Sequence, residues 1–257
     1  MKLPRIVLVA AALALAGVRP ELVAARTLEQ IRALGSISMC AHPDALPYAT
    51  NRGELPGFQV ELGRVIAGKL GVDLRVEWLV PRRRIAEVNC DMLMDRPRTS
   101  ATQEGRVLSV PYHRTGIVLA LRPDAPPVAG IADLKKHPRV GVMVGSLASV
   151  VLGQQGVRTI PYAFQSDMLD DLAEARLTSA AVSEPSLMFR LAQQPDAGLR
   201  VFALFEAEPE LAWDTALALR GADAPLVDAV NRALAQSMDD GTLERIYARY
   251  GSEHRQP

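Results

Sequence analysis

Apolar residues change their spacing several times along this chain, and each change marks a predicted element. Ile6–Gly17 (IVLVAAALALAG) is one uncharged run, preceded by Lys2 and Arg5 and followed by Pro20. Thr27–Leu34 reads as a short lead-in, and Ser36–Ala41 (SISMCA) as a buried strand. A polar, turn-rich stretch runs from His42 to Gly57. Beyond it, Leu62, Val65, Ile66 and Leu70 fall on one face of a predicted helix over Phe58–Leu70, which Gly71 caps. Val72–Leu79 alternates apolar and polar residues, as a half-buried strand does. A short helix through Val88, a strand at Cys90–Met94, an irregular polar stretch from Arg96 to Arg106 and an extended run over Pro111–Leu121 complete this part.

After the turn-rich Arg122–Pro127 a second series begins. It comprises a helix at Ile131–Lys136, a strand at Arg139–Val144 and a helix capped by Ser146 and reaching Gly153. A strand at Arg158–Tyr162 precedes a helix expected to start at Ser166, with Met168, Leu169, Leu172 and Leu177 on one face. Ala180–Val182 (strand), Pro185–Leu191 (helix), and strands at Val201–Phe205 and Trp213–Leu219 follow. Two amphipathic helices, Ala224–Met238 and one bearing Leu243, Ile246, Tyr247 and Tyr250, close the chain before Gly251.

Strands alternating with helices imply a mixed α/β architecture. The order suggests two α/β lobes joined by two hinge crossings, near residues 112–121 and 205–218. The expected division is 26–114 with 208–257 for lobe one and 115–207 for lobe two. Ligand sites favour the cleft that such a hinge creates.

The opening apolar run, about 12 residues long, falls short of the ~20 needed to span a bilayer. With its basic start and the small residues Val23-Ala24-Ala25, it reads as a cleavable export signal over residues 1–25. The expected compartment is the periplasm, with no membrane insertion after cleavage. Removing that segment takes away Lys2, Arg5, Arg19 and Glu21, so the formal net charge moves from +0 to −2. Such near-neutrality argues against nucleic-acid binding. The two cysteines, Cys40 and Cys90, are either bridged or two buried thiols, and an oxidising compartment favours the bridge. His42, His113, His137 and His254 show no metal-ligand spacing, and no nucleophile elbow or phosphate-cradling glycine loop is present. Neither a cofactor nor a metal is expected.

Six motifs in order resemble family-3 periplasmic solute-binding proteins. They are His42–Tyr48 (HPDALPY), Leu55–Leu62 (LPGFQVEL), Cys90-Asp91 with its strand, Ser109–Tyr112 (SVPY), Arg139–Ser146 (RVGVMVGS) and Leu243–Gly251 (LERIYARYG). The resemblance implies the periplasmic-binding-protein type II fold. Narrower similarity is to the accessory J proteins of methanol and related quinoprotein dehydrogenase systems. It is carried by Cys40-Ala41-His42-Pro43, Cys90-Asp91 and Pro111-Tyr112-His113-Arg114-Thr115-Gly116. His42 stands where that subfamily has Asp, and Met92-Leu93-Met94-Asp95 replaces its hydrophobic-Met-Gly sequence.

The narrower resemblance implies a non-enzymatic accessory of a PQQ-dependent alcohol dehydrogenase, with that dehydrogenase or a c-type cytochrome as partner. The alternative is the substrate-binding component of an ABC importer for an amino acid or other small polar solute. A dehydratase-like enzyme, with Glu184 as acid, is the third reading. The cleft candidates are Tyr48, Tyr112, Arg114, Ser146 and Glu184. The tyrosines offer aromatic walls, and Ser146 offers a helix N-terminus suited to an anion. Glu184 stands where the family's amino-acid binders place an Asp for the ligand ammonium. Arg106 is displaced by one position from the family's carboxylate-binding Arg and reads as surface charge, and Arg82–Arg84 as a solvated face.

Overall fold

The computed structural model describes residues 26–79, 90–98 and 106–257. The export segment, the helix through Val88, Arg82–Arg84 and the Thr102–Glu104 stretch of the irregular run lie outside these residues.

Apolar periodicity and caps set the elements. Strand β1 (Ser36–Ala41), helix α2 (Phe58–Leu70) and strand β4 (Asp73–Trp78) form a strand–helix–strand unit in which β1 and β4 pair in parallel. A small antiparallel pair, β2 (Asp44–Ala45) and β3 (Ala49–Thr50), sits inside the turn-rich stretch. β5 (Met92–Pro97) also runs parallel to β1. The short β6 (Arg106–Leu108) precedes the long β7 (His113–Leu121). In the second series, β8 (Val140–Met143), β9 (Thr159–Tyr162) and β10 (Ser179–Ser183) are parallel neighbours. They are separated in sequence by helices α4 (Leu147–Gln154) and α5 (Gln165–Ala173), and α6 (Glu184–Gln193) follows β10. β11 (Arg200–Phe202) and β12 (Ala212–Arg220) precede the closing helices α8 (Ala224–Asp239) and α9 (Thr242–Ala248). Helices α3 (Ile131–Leu134) and α7 (Leu204–Ala207) are single turns.

All but the β2–β3 pair belong to one ten-stranded sheet, ordered β4-β1-β5-β12-β7-β10-β8-β9, with β6 on β12 and β11 on β7. Two separate apolar cores flank it. One gathers Ile37, Met39, Phe58, Leu62, Ile66, Met92, Leu219, Val230, Leu234 and Tyr247. The other gathers Leu119, Leu134, Val140, Leu152, Met168, Leu172, Leu187, Leu204 and Leu211. Between them pass β7 and β12, paired antiparallel from Ala212–Gly116 to Thr215–His113. Past that ladder β7 joins β10 from Ile117 onward, while β12 joins β5 and β6. Gly116 is required here, because a Cβ would lie 2.4 Å from the Phe205 Cβ.

Three expectations change. The lead-in at Thr27–Leu34 is a helix, α1 (Leu28–Leu34), started by a reciprocal cap between Thr27 and Gln30. Ser166 is not a cap: the helix begins one residue earlier, after Phe164, and Gln165 turns its side chain to the Ser183 N–H at 2.7 Å. The strand over Val201–Phe205 stops at Phe202, since Leu204 and Phe205 are buried from a helical turn. A short apolar run does not separate these alternatives by periodicity.

Cys40 and Cys90 are bridged, with Cα atoms 5.6 Å apart and a separation of 50 positions in sequence. Leu93 and Ala218 pack around the bridge. Closing a loop of that length restricts the unfolded chain by about 4 kcal/mol. Among the described residues, no helix is long and apolar enough to cross a membrane. The C40A/C90A variant is expected to lose most of that ~4 kcal/mol in a urea unfolding titration at pH 7. An unchanged midpoint would show that the bridge does not constrain the unfolded ensemble.

Candidate functional site

Open α/β sheets present ligand-binding loops beyond the carboxyl ends of their parallel strands. Four such ends carry polar residues in this chain. β1 leads to the His42–Tyr48 loop, β5 carries Asp95, β8 leads to Ser146 and β10 ends at Ser183-Glu184. The first two belong to the side with the α2 core and the last two to the other.

Tyr48 bridges the sides. Its ring packs against Phe58 at 5.0 Å, and its hydroxyl donates to Ser183 Oγ at 2.7 Å. Burial pushes the Tyr48 phenol up to about 12, so it stays a neutral donor. Ser183 is itself held, because its N–H and hydroxyl both reach Gln165 Oε1 and its hydroxyl meets Ser186 Oγ at 2.9 Å. A second contact between the sides places the His42 ring 5.9 Å from the half-exposed Phe164.

Tyr112 is fully buried and presents no face to a gap. Its hydroxyl donates to Asp95 Oδ1 at 2.5 Å and accepts from the Asp95 N–H at 3.0 Å. Gln59 Nε2 donates to the other carboxylate oxygen at 2.7 Å. Asp95 has φ +49°, a left-handed conformation that Asp tolerates better than most residues. Burial raises the Asp95 pKa, and the bonds from Tyr112 and Gln59 oppose that rise.

Glu184 opens α6 with its side chain only 10% exposed. Arg255, from the segment after α9, meets it with two nitrogens, at 3.0 and 2.9 Å. Burial raises the Glu184 pKa and the Arg255 charge lowers it. Arg114 lies on the crossing ladder opposite Asp214, pairing with it at 3.0 Å in a solvent-exposed setting. Ser146 caps α4, accepting the Ser149 N–H at 3.2 Å. Arg106 is in β6, registered with Arg220 of β12. The structure thus brings Tyr48 and Glu184 together through adjacent Ser183 and Glu184. Tyr112 supports Asp95, Arg114 belongs to the hinge, and Ser146 is engaged in its own cap.

Gln59, Asp95, Gln165, Ser183 and Arg255 were not singled out from the sequence. Asp95 carried a signal, standing where the accessory-protein pattern has another residue. Arg255 carried none, because nothing local in SEHRQP indicates a partner 71 positions earlier.

Residues 37–253 match the bacterial extracellular solute-binding proteins, family 3. The chain belongs to that family. Its relatives include the lysine/arginine/ornithine-binding periplasmic protein of Escherichia coli K12, 24% identical over 212 residues, covering 77% of this chain and 80% of the relative. The L-cystine-binding protein TcyJ of the same strain is 25% identical over 200 residues, covering 76% and 73%. Among solved structures, an ancestral cationic amino acid solute-binding protein superposes with TM-score 0.74 at 19% identity, covering 88% of this chain and 99% of that one. The amino acid ABC transporter substrate-binding protein AbpA from Streptococcus pneumoniae, bound to L-arginine, gives 0.71 at 19%, covering 88% and 100%. These likenesses establish the type II periplasmic-binding fold expected from the motifs.

In this family-3 chain one histidine has a pH consequence. His113 is buried between Tyr247, at 4.3 Å, and His254, at 5.5 Å, and accepts from the Arg255 N–H at 3.3 Å. Burial first, then the neighbouring His254, lowers its pKa to about 3. An unfolded histidine titrates near 6.5, so below that pH the unfolded chain gains a proton that the folded chain refuses. The stability is whole above about pH 6.5 and is lost as pH falls toward 3. His113→Gln should remove roughly 2–3 kcal/mol of the loss seen between pH 7 and pH 4.5. Parallel urea titrations of the two proteins check this, and identical pH slopes would refute it.

Proposed function

We propose that this chain is the non-enzymatic substrate-binding component of an importer, exported to the periplasm, that holds a small polar solute between its two lobes. The observation carrying this is the Tyr48–Ser183 hydrogen bond beside Glu184: polar groups from both sides of a hinged sheet converge at one place. The relatives described above bear names of amino-acid-binding proteins, which supports an amino-acid-like solute over the dehydrogenase-accessory role. We take the lobe boundaries at 114/115 and 207/208, flanking the crossing, and assign Tyr48, Ser183 and Glu184 to the gap.

A type II scaffold can also support catalysis, and one structural relative is described as a precursor of cyclohexadienyl dehydratase. Burial raises the Glu184 pKa, but both of its carboxylate oxygens are already engaged by Arg255, which leaves neither free to deliver a proton to a substrate. One observation favours a second reading: the bridged residues Cys40 and Cys90 stand at the two positions that carry the resemblance to the quinoprotein-dehydrogenase accessory proteins. Under that reading the chain would co-purify with a periplasmic alcohol dehydrogenase or c-type cytochrome.

Calorimetry against a panel of neutral, acidic and basic amino acids and small polyols is expected to give single-site micromolar binding for at least one solute. Tyr48→Phe, which removes one cross-lobe hydrogen bond, should weaken it by roughly 2- to 10-fold. If no solute binds and gentle pull-down from periplasm retains a dehydrogenase, the importer reading fails in favour of the second.

A further inference from the structure

We propose that Arg255 is a tethered guanidinium ligand for Glu184, and that this internal occupancy excludes solutes whose recognition requires a cation at that carboxylate. The inference rests on the solute-binding reading and narrows its substrate class to polar solutes held without a cationic group at Glu184.

Three features fix the guanidinium in place. It meets both Glu184 oxygens, the arrangement in which Arg–carboxylate pairs are strongest and most directional. Its carbon sits 5.1 Å from the Phe205 ring centroid, within stacking range of the aromatic face. Its backbone is anchored on both polar atoms: Arg255 N–H donates to His113 Nδ1, and Arg255 C=O accepts the Arg114 N–H at 2.8 Å. His254 adds a contact to the Tyr112 carbonyl at 2.7 Å. The segment is therefore laid along the start of β7. Glu253 approaches the same guanidinium, at 3.8 Å from Nε.

Location gives the pair its meaning. Ser183, next to Glu184, is registered with Ile117, the first β7 residue past the crossing ladder, and receives the Tyr48 hydroxyl from the other lobe. Glu184 thus lies at the root of the gap, where a buried carboxylate requires a compensating cation. Arg255 supplies one at the effective concentration of a short tether, on the order of millimolar. A free solute must exceed that competition before its own cation gains the site.

Calorimetry with agmatine, an alkylguanidinium, tests this on the purified protein and three variants. The wild type should bind agmatine weakly. R255A should bind it on the order of tenfold more tightly or better, and R255A/E184Q should lose that gain. Circular dichroism checks folding, and R255Q replaces R255A if the latter is misfolded. Equal agmatine affinity in wild type and the Arg255 variant, or a gain that survives E184Q, overturns the proposal. Binding of a panel solute by the wild type without any agmatine gain defeats the tether while leaving solute binding intact. Failure of every protein to bind any solute defeats both.

Discussion

The antiparallel ladder between His113–Gly116 and Ala212–Thr215 is the constraint on which this molecule is organised. Two apolar cores are touched in common by helix α6, through Phe189 on one side and Leu187 on the other, and one hydrogen-bonded sheet runs through both. Backbone groups at the crossing are satisfied by the facing strand on one side and by neighbouring segments on the other, Arg114 N–H by the Arg255 carbonyl and the Asp214 carbonyl by Arg98 N–H. The close seat of Phe205 on Gly116 explains why the narrowest point carries no side chain. Ser183, assigned to the gap, takes its position from β10, which pairs with β7 just past this ladder, and Glu184 follows it at the start of α6.

Long, strongly periodic segments were legible from residue spacing alone. Helix α2 spans Phe58–Leu70 and β1 spans Ser36–Ala41, as their patterns implied. The two long extended runs read near residues 112–121 and 205–218 include the strands β7 and β12, which pair antiparallel. Boundaries decided by side-chain bonding were not legible. The start of α5 depends on Gln165 reaching Ser183, a contact made across the fold. The switch from β11 to α7 depends on which side of the second core Leu204 and Phe205 fill. Neither is encoded in local spacing.

The site divided along the same line. Tyr48 and Glu184 were singled out because they follow strands in recognisable motifs, and the fold brings both beside Ser183. Tyr112 was singled out as an aromatic wall, but its hydroxyl is committed to Asp95 and its ring to the interior. Arg114 is paired with Asp214 of the neighbouring strand β12, and Ser146 is engaged in capping α4. What spacing could not reveal was the pairing of Glu184 with a residue beyond the last helix. Family patterns describe which groups line a gap in relatives, and they are silent on which of those groups a particular chain has already engaged.

The Cys40–Cys90 bond has a reach beyond the strands it joins. Cys40 stands two positions before His42, so the covalent link sits at the root of the loop that carries Tyr48 to Ser183. A rigid root limits the conformations this loop samples when no partner is present, and a preorganised loop loses less entropy on capture. Cleaving that bond would slacken the root of the loop while leaving Tyr48, Ser183 and Glu184 chemically unchanged.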